Sequence, residues 1–327
     1  MPVELLIAPP AAGKTRTCIQ RVRAVLADQP LAKVWVLVPD RQKVAYFRQR
    51  LGDAGGGAGA AVGTFRDLYM ELLERNGIFM PVITSALEHR LVQETVDAAF
   101  DAGELAHYAP IRQKPGFILA LKDCFSELRS SLVRPERFSE YTRDSSPARR
   151  ELAVLYDRFL LRLQALNWID RDGLSWLAVG VLENDPRAAA DIRLVVVDGF
   201  TAFAGARRQF LRLLAKQAGE LLITLPGQLG SNRQVQRGFQ SAADALVGDL
   251  APRVTGLSAA PRLPEASLHL ERHVLNPGEA PRLEARGPLL VEARSQSEEA
   301  REALRWIKEL NIRQAVPLSA CAVFTSN

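Results

Sequence analysis

Ala8-Pro9-Pro10-Ala11-Ala12-Gly13-Lys14-Thr15, the stretch APPAAGKT, decides the fold. It fits the phosphate-binding loop pattern GxxxxGK[ST] except at its first position, where alanine stands for glycine. The tripeptide GKT alone occurs by chance, so its context matters. Val3 to Ala8 (VELLIA) is a short apolar run that predicts a buried strand, and a helix is predicted from Thr15 to about Ala27. A strand, a loop and a helix in that order let loop amides and the helix N-terminus cradle phosphates. In such a loop Lys14 meets the β and γ phosphates and Thr15 holds Mg²⁺. Ala11, Ala12, Gly13, Lys14, Thr15 and Arg16 are the candidate nucleotide-binding residues, with ATP and Mg²⁺ as ligands. The alternative is an ordinary strand-to-helix turn. Pro9 and Pro10, which lack amide donors, and the scarcity of glycine count for it.

Outward from the loop, strand and helix patterns alternate. Val34 to Val38 (VWVLV) predicts a second buried strand, Arg41 to Leu51 a helix, and Asp53 to Ala61 a loop. This order implies a parallel sheet with crossover helices. From Thr64 to about Ala190 the strand-like runs vanish. Amphipathic helices are predicted at about 65–76, 85–102, 116–131, 147–166 and 172–183, and core packing accounts for most of their aromatics. Ile192 to Val197 (IRLVVV) resumes the sheet, followed by a helix at Ala204 to Ala218 and a strand at Leu221 to Leu225. A helix is predicted near Gln234–Leu250, then a proline-rich linker holding one short piece at Leu268–Leu275. The last segment reads strand, helix, strand: Leu289–Glu292, Ser297–Leu310 and Ala320–Thr325. A lone unit of that kind has little to pack against, so a longer parent protein is expected.

Asp198, at the end of IRLVVV, is placed to complete the Mg²⁺ site with Thr15; capping the strand end is its simpler role. Active ATPases follow such an aspartate with a glutamate that orients water. Here Gly199 occupies that place, and glycine cannot act as a base. No catalytic residue is therefore assigned, and slow or absent hydrolysis is expected. Thr64 and Phe65 open a helix after the strand at Val62. Phe65 is either a stacking platform for a base of single-stranded DNA or a buried aromatic, at even odds. Arg41, Lys43, Arg48 and Arg50 share one helix, which is a solvated face or a phosphate-contacting groove. Arg41, Thr64 and Phe65 are the candidate DNA contacts.

The composition is 47% apolar and 24% charged, which suits a globular protein. Net charge of +5 fits a nucleic-acid partner without requiring one. Cys18, Cys124 and Cys321 are too few and too far apart for a disulfide framework or a zinc site. Cys18, in a helix, and Cys321, in a strand, are expected to be buried thiols. His269 and His273 have helical spacing but no HExxH, so they are taken as surface residues. No apolar run reaches the length of a membrane span, no signal peptide is evident, and a cytoplasmic location is expected.

LLIAPPAAGKT, VWVLVPDRQKVAYFRQRL, VGTFRDLYMELL and LVVVDGFTAF resemble, in order, the Walker A, Ia, Ib and Walker B motifs of UvrD-like superfamily 1 helicases. Alanine at the first loop position is normal there. The chain is most similar to AddB/RexB-type subunits of bacterial helicase–nuclease complexes. The "VP" after the second strand, DGF in place of DEF, and the stretches FILALKDCFSELRSSLVRPERF and LAVLYDRFLLRLQALNWIDRDGL carry that likeness. The resemblance implies an α/β P-loop NTPase (RecA-like) domain at 1–63 and 191–260. It further implies an all-helical, DNA-contacting insertion at 64–190, a linker at 261–287 and the start of a second RecA-like domain at 288–327. It implies an AddA/RexA-type partner subunit, DNA as substrate, and work in break repair. The sequence departs from active helicases in lacking the Walker B glutamate, GDxxQ after LLITLP, and NYRS near Leu270–His273. Neither a PD-(D/E)xK pattern nor cluster cysteines occur. Two rivals follow: an active UvrD-like translocase, and a RecC-like scaffold with a vestigial loop.

Overall fold

A computed structural model describes residues 2–57, 59–231, 233–257, 264–273 and 290–324. Its elements run β1 (Val3–Ala8), α1 (Lys14–Asp28), β2 (Lys33–Leu37), α2 (Arg41–Asp53), β3 (Ala60–Gly63), α3 (Phe65–Arg75), α4 (Ser85–Asp101), α5 (Pro115–Ser130), α6 (Pro135–Thr142), α7 (Pro147–Ala165), α8 (Gly173–Asn184), β4 (Ile192–Val197), α9 (Gly205–Gln217), β5 (Leu221–Pro226), α10 (Arg237–Leu250), β6 (Arg253–Gly256), α11 (Glu265–His273) and α12 (Gln296–Gln314). Six strands form one sheet in the order β3-β2-β4-β5-β1-β6, and every pairing in it is parallel.

A parallel sheet must cover both faces, so its strands are apolar throughout. Alternate residues serve opposite faces. Leu6, Val34, Val36, Leu194, Val196 and Leu222 pack against Cys18, Ile19 and Val22 of α1 and Val44, Phe47 and Leu51 of α2. Leu5, Ile7, Trp35, Leu37, Val195, Val197, Leu221, Ile223 and Leu225 share the other core with α3, α8, α9 and α10. Right-handed crossovers dictate this division: the chain moves one way along the sheet through α1 and α2, and the opposite way afterwards.

Between β3 and β4 a third core gathers α4, α5 and α7. Leu91, Val92, Val96, Ile118, Leu121, Phe125, Leu155, Tyr156, Phe159 and Leu163 are buried in it. Buried Glu151 of α7 ties down the 106–108 loop. Its carboxylate accepts the amides of Ala106 (2.9 Å), His107 (2.7 Å) and Tyr108 (3.0 Å). Burial alone would raise its pKa, but the amides of His107, Tyr108 and Ala106 outweigh that and hold it below the ordinary carboxylate value. A depressed folded pKa means a contribution complete above the unfolded value, about 4.3, and lost as the pH falls through the folded value. Glu151→Gln is therefore expected to destabilise the protein at pH 7 by about 1–3 kcal/mol. The gap to the parent should narrow below about pH 4. Urea titrations at both pH values check it; a gap that is constant with pH would disprove the linkage.

Several expectations need correction. The proline-rich stretch after Pro252 begins with a strand: β6 lies parallel to β1, with Glu4 beside Arg253 and Ile7 beside Gly256. Four residues, RVTG, are too few to show a period. Helix α6 was not expected; Pro135 at its first turn and Glu136 after it were the available start signals. Neither terminal strand forms among the described residues: 290–293 and 321–324 hold no strand, and Leu289 and Thr325 lie outside them. A strand needs a neighbour for its N–H and C=O groups, and Leu290 and Phe324 are 95% and 93% exposed. Of the expected strand–helix–strand only α12 is present. Cys321 is accordingly neither in a strand nor buried, whereas Cys18 is fully buried. Residues 274–287 of the expected linker lie outside the described residues, as do Val274 and Leu275 of its short piece. The chain divides into two compact units, 1–262 and 263–327. No helix among the described residues is long and apolar enough to cross a membrane.

Candidate nucleotide site

The loop after β1 turns on two left-handed residues. Ala11 has φ 59°, and Gly13, at the N-terminus of α1, has φ 102° and ψ 14°. Glycine adopts that conformation at no steric cost. Lys14 folds back along the loop and donates to Ala8 O at 2.6 Å and Pro9 O at 2.9 Å. Burial lowers its pKa, with nearby Asp198 opposing. Pro9 and Pro10 remove two amides, but 11–16 keep theirs, at the positive end of a 15-residue helix.

Thr15 Oγ1 donates to Asp198 Oδ2 at 2.7 Å, and Thr224 Oγ1 donates to Asp198 Oδ1 at 2.6 Å. Residues 183 positions apart in sequence thus meet at one carboxylate, because β5 lies between β1 and β4 and carries Thr224 beside both. Asp198 is 5% exposed and does not merely cap a strand end. Sequence analysis missed Thr224; it stands where a threonine interrupts the apolar run LLITL, and that was the signal. Cys18 lies beneath the loop, its thiol pKa raised by burial, then by Asp198.

Gly199 has φ +85°, a conformation that strains any side chain. A Cβ there would lie 3.2 Å from Lys43 Nζ and 3.5 Å from Pro39 Cδ, and Lys43 Nζ donates to Gly199 O at 3.3 Å. The position after Asp198 is thus held by backbone geometry and faced by a cation. A cleft of about 530 Å³ opens over the loop, lined by residues 11–17, Tyr46, Arg50 and Leu257.

The basic residues of α2 do not form one groove. Arg41 pairs with Asp67 (2.9 Å), Arg48 donates to Val62 O (2.8 Å) and Arg50 to Tyr46 Oη (2.8 Å). Helical spacing sends them to different faces, so Arg50 borders the loop cleft while Arg41 borders another. That second cleft, about 600 Å³, is lined by Arg41, Thr64, Arg66, Arg171 and Arg207 among others. Thr64 joins Arg41 at Asp67: its amide and hydroxyl both donate to Asp67 Oδ2, at 2.7 and 2.9 Å. The expected stacking platform is not available. Phe65 is 4% exposed, its ring packs against Phe200 at 5.2 Å, and Arg207 lies over it at 5.5 Å. The aromatic at the helix start went to the core because Phe200, Phe203, Phe210 and Tyr69 surround it. His269 and His273 stack at 4.6 Å, and no cluster of three metal-ligating residues exists among the described residues.

A lysine and a threonine at a helix start, facing a buried aspartate across a parallel sheet, define an α/β protein with a candidate phosphate-binding cleft. The chain belongs to the family described as ADDB, N-terminal, which matches residues 6–245. It is similar to the B subunit of the ATP-dependent helicase/deoxyribonuclease of Moorella thermoacetica, 29% identical over 241 residues, or 69% of this chain and 20% of that protein. The B subunits of the same name from Desulforudis audaxviator and Acetivibrio thermocellus are 28% and 24% identical over 69% and 68% of the chain. The chain spans about a fifth of the length of these relatives.

Proposed function

We propose that this chain is the nucleotide- and DNA-binding part of an AddB-type helicase–nuclease subunit, one that holds Mg²⁺–ATP while turning it over slowly or not at all. The Thr15–Asp198 hydrogen bond beside Gly199 carries this reading. Residues 1–63 and 191–260 form a RecA-like domain, supported by the sheet order, in which one strand separates the loop-bearing strand from the aspartate-bearing one. The donor set suits Mg²⁺–ATP: Lys14 and the amides of Ala11, Ala12, Gly13, Thr15 and Arg16 for phosphates, and Thr15 with Asp198 for a hard cation that prefers oxygen ligands. Bound Mg²⁺ would offset phosphate charge. The protein's share is to orient the nucleotide and to leave attacking water without a base.

The helical insertion at 64–190 and the arginine-lined second cleft suit the phosphates of a DNA strand, with Arg41 and Thr64 at its edge. By likeness to relatives named as helicase/deoxyribonuclease subunits, the chain works with an AddA/RexA-type subunit on DNA ends in the cytoplasm, in break repair. An active UvrD-like translocase is disfavoured because no carboxylate is among the described residues lining the loop cleft. A RecC-like scaffold is disfavoured because the Lys14–Thr15–Asp198 set is whole.

Steady-state ATPase with single-stranded DNA tests the reading: turnover well under one per second is expected, and several per second, abolished by Lys14→Ala, would overturn it. Absence of binding by a fluorescent ATP analogue at millimolar concentration would establish the scaffold instead. Gly199→Glu is expected to leave turnover unchanged. The positive φ costs about 1–2 kcal/mol, and Lys43 would capture the new carboxylate. A tenfold gain in turnover would disprove this.

A further inference from the structure

On α2, Val44, Phe47 and Leu51 turn to the core, which leaves Tyr46 and Arg50, one helical turn apart, side by side on another face. Both line the cleft over the phosphate loop. Tyr46 is 52% exposed and is the single aromatic among the described residues lining that cleft. It is not loose. Arg50 Nη1 donates to its hydroxyl at 2.8 Å, and the guanidinium carbon lies 5.6 Å from the ring centroid. An exposed aromatic held in place by a cation costs little further entropy when a flat ligand lands on it. The cleft, at about 530 Å³, exceeds what a triphosphate alone would occupy.

We propose that the Tyr46 ring, positioned by Arg50, is the stacking wall for the nucleobase of the nucleotide whose phosphates the 11–16 loop holds. The inference rests on the proposed nucleotide site and adds the recognition of the base. Stacking reads a π-face and not the hydrogen-bonding edge, so Tyr46 favours a nucleotide over bare polyphosphate without choosing strongly among purines.

Binding of ATP and of inorganic tripolyphosphate, each with Mg²⁺, to the full chain separates the two levels. Tyr46→Ala is expected to weaken ATP about tenfold, equivalent to about 1.4 kcal/mol, and to leave tripolyphosphate within about twofold. Tyr46→Phe keeps the ring and is expected to bind ATP within about threefold of the parent, since stacking survives loss of the hydroxyl. Lys14→Ala weakens both ligands. Unchanged ATP binding by Tyr46→Ala overturns the stacking wall while the phosphate site stands. Equal loss of both ligands in Tyr46→Ala also overturns it, because the wall would then act through phosphate. No binding of either ligand by the parent removes the nucleotide site and this inference with it.

Discussion

Lys14→Ala is expected to weaken ATP binding by about 100-fold, with the fold intact. The ammonium group is half-buried at the loop, held by Ala8 O and Pro9 O, and no other lysine lines the cleft among the described residues. Exchanging two carbonyl contacts for contacts with phosphate oxygens gains the charge-assisted part of the interaction, about 1.5–3 kcal/mol per hydrogen bond to a charged group. Two such bonds set the scale of the loss. Alanine is the best helix former, so α1 should tolerate the change at its first position. Titration of a fluorescent ATP analogue measures the loss, and unchanged far-ultraviolet circular dichroism confirms the fold. Affinity within threefold of the parent would remove Lys14 from any nucleotide site.

Asp170→Ala is expected to destabilise the protein by about 3–5 kcal/mol, the usual cost of breaking a buried ion pair from one side. Asp170 and Arg129 are 3% and 6% exposed. Arg129 Nη1 donates to Asp170 Oδ2 at 2.9 Å, and the Gly173 amide donates to Oδ1 at 2.7 Å. Two further bonds close the same joint: Trp176 Nε1 to Arg129 O at 2.6 Å and Ser126 Oγ to Asp172 Oδ2 at 2.7 Å. They fasten α5 of the helical core to α8 of the sheet core. Ser130, Arg171, Asp172 and Ser175 of this joint line the second cleft, so loosening it should also weaken DNA binding. Removing the charge partner as well restores compatibility: Asp170→Leu with Arg129→Met is expected to recover most of the stability, although not the geometry of the cleft. Gly173→Ala should mimic the single loss, because its Cβ would meet Arg129 Nη2 and Asp170 Oδ1. Urea unfolding decides the matter; a change under 1 kcal/mol for Asp170→Ala would refute the buried-pair account.

The helices and central strands were legible because burial imposes a period. The alternation along β1, β2, β4 and β5 and the 3.6-residue spacing in α7 are direct consequences of which faces are covered. Where burial is slight the signal is weak, and there β6 was missed and two terminal strands were wrongly expected. The same limit applied to side chains. Phe65 could be read as exposed or buried from its neighbours in the chain, and only Phe200 and Phe210, more than a hundred residues away, settled it. The basic run of α2 read as one patch, yet helical geometry sends Arg41 and Arg50 to different clefts.

By itself the sequence determined the phosphate loop, the helix that follows it and the absence of a glutamate after Asp198, because these depend on consecutive residues and their intrinsic conformational freedom. Only the tertiary structure decided that Thr15, Thr224 and Asp198 share one site, that Lys43 faces Gly199, and that Tyr46 stands over the loop. Those contacts join segments separated by up to 183 residues, and strand order and crossover handedness, not local spacing, bring them within hydrogen-bonding range.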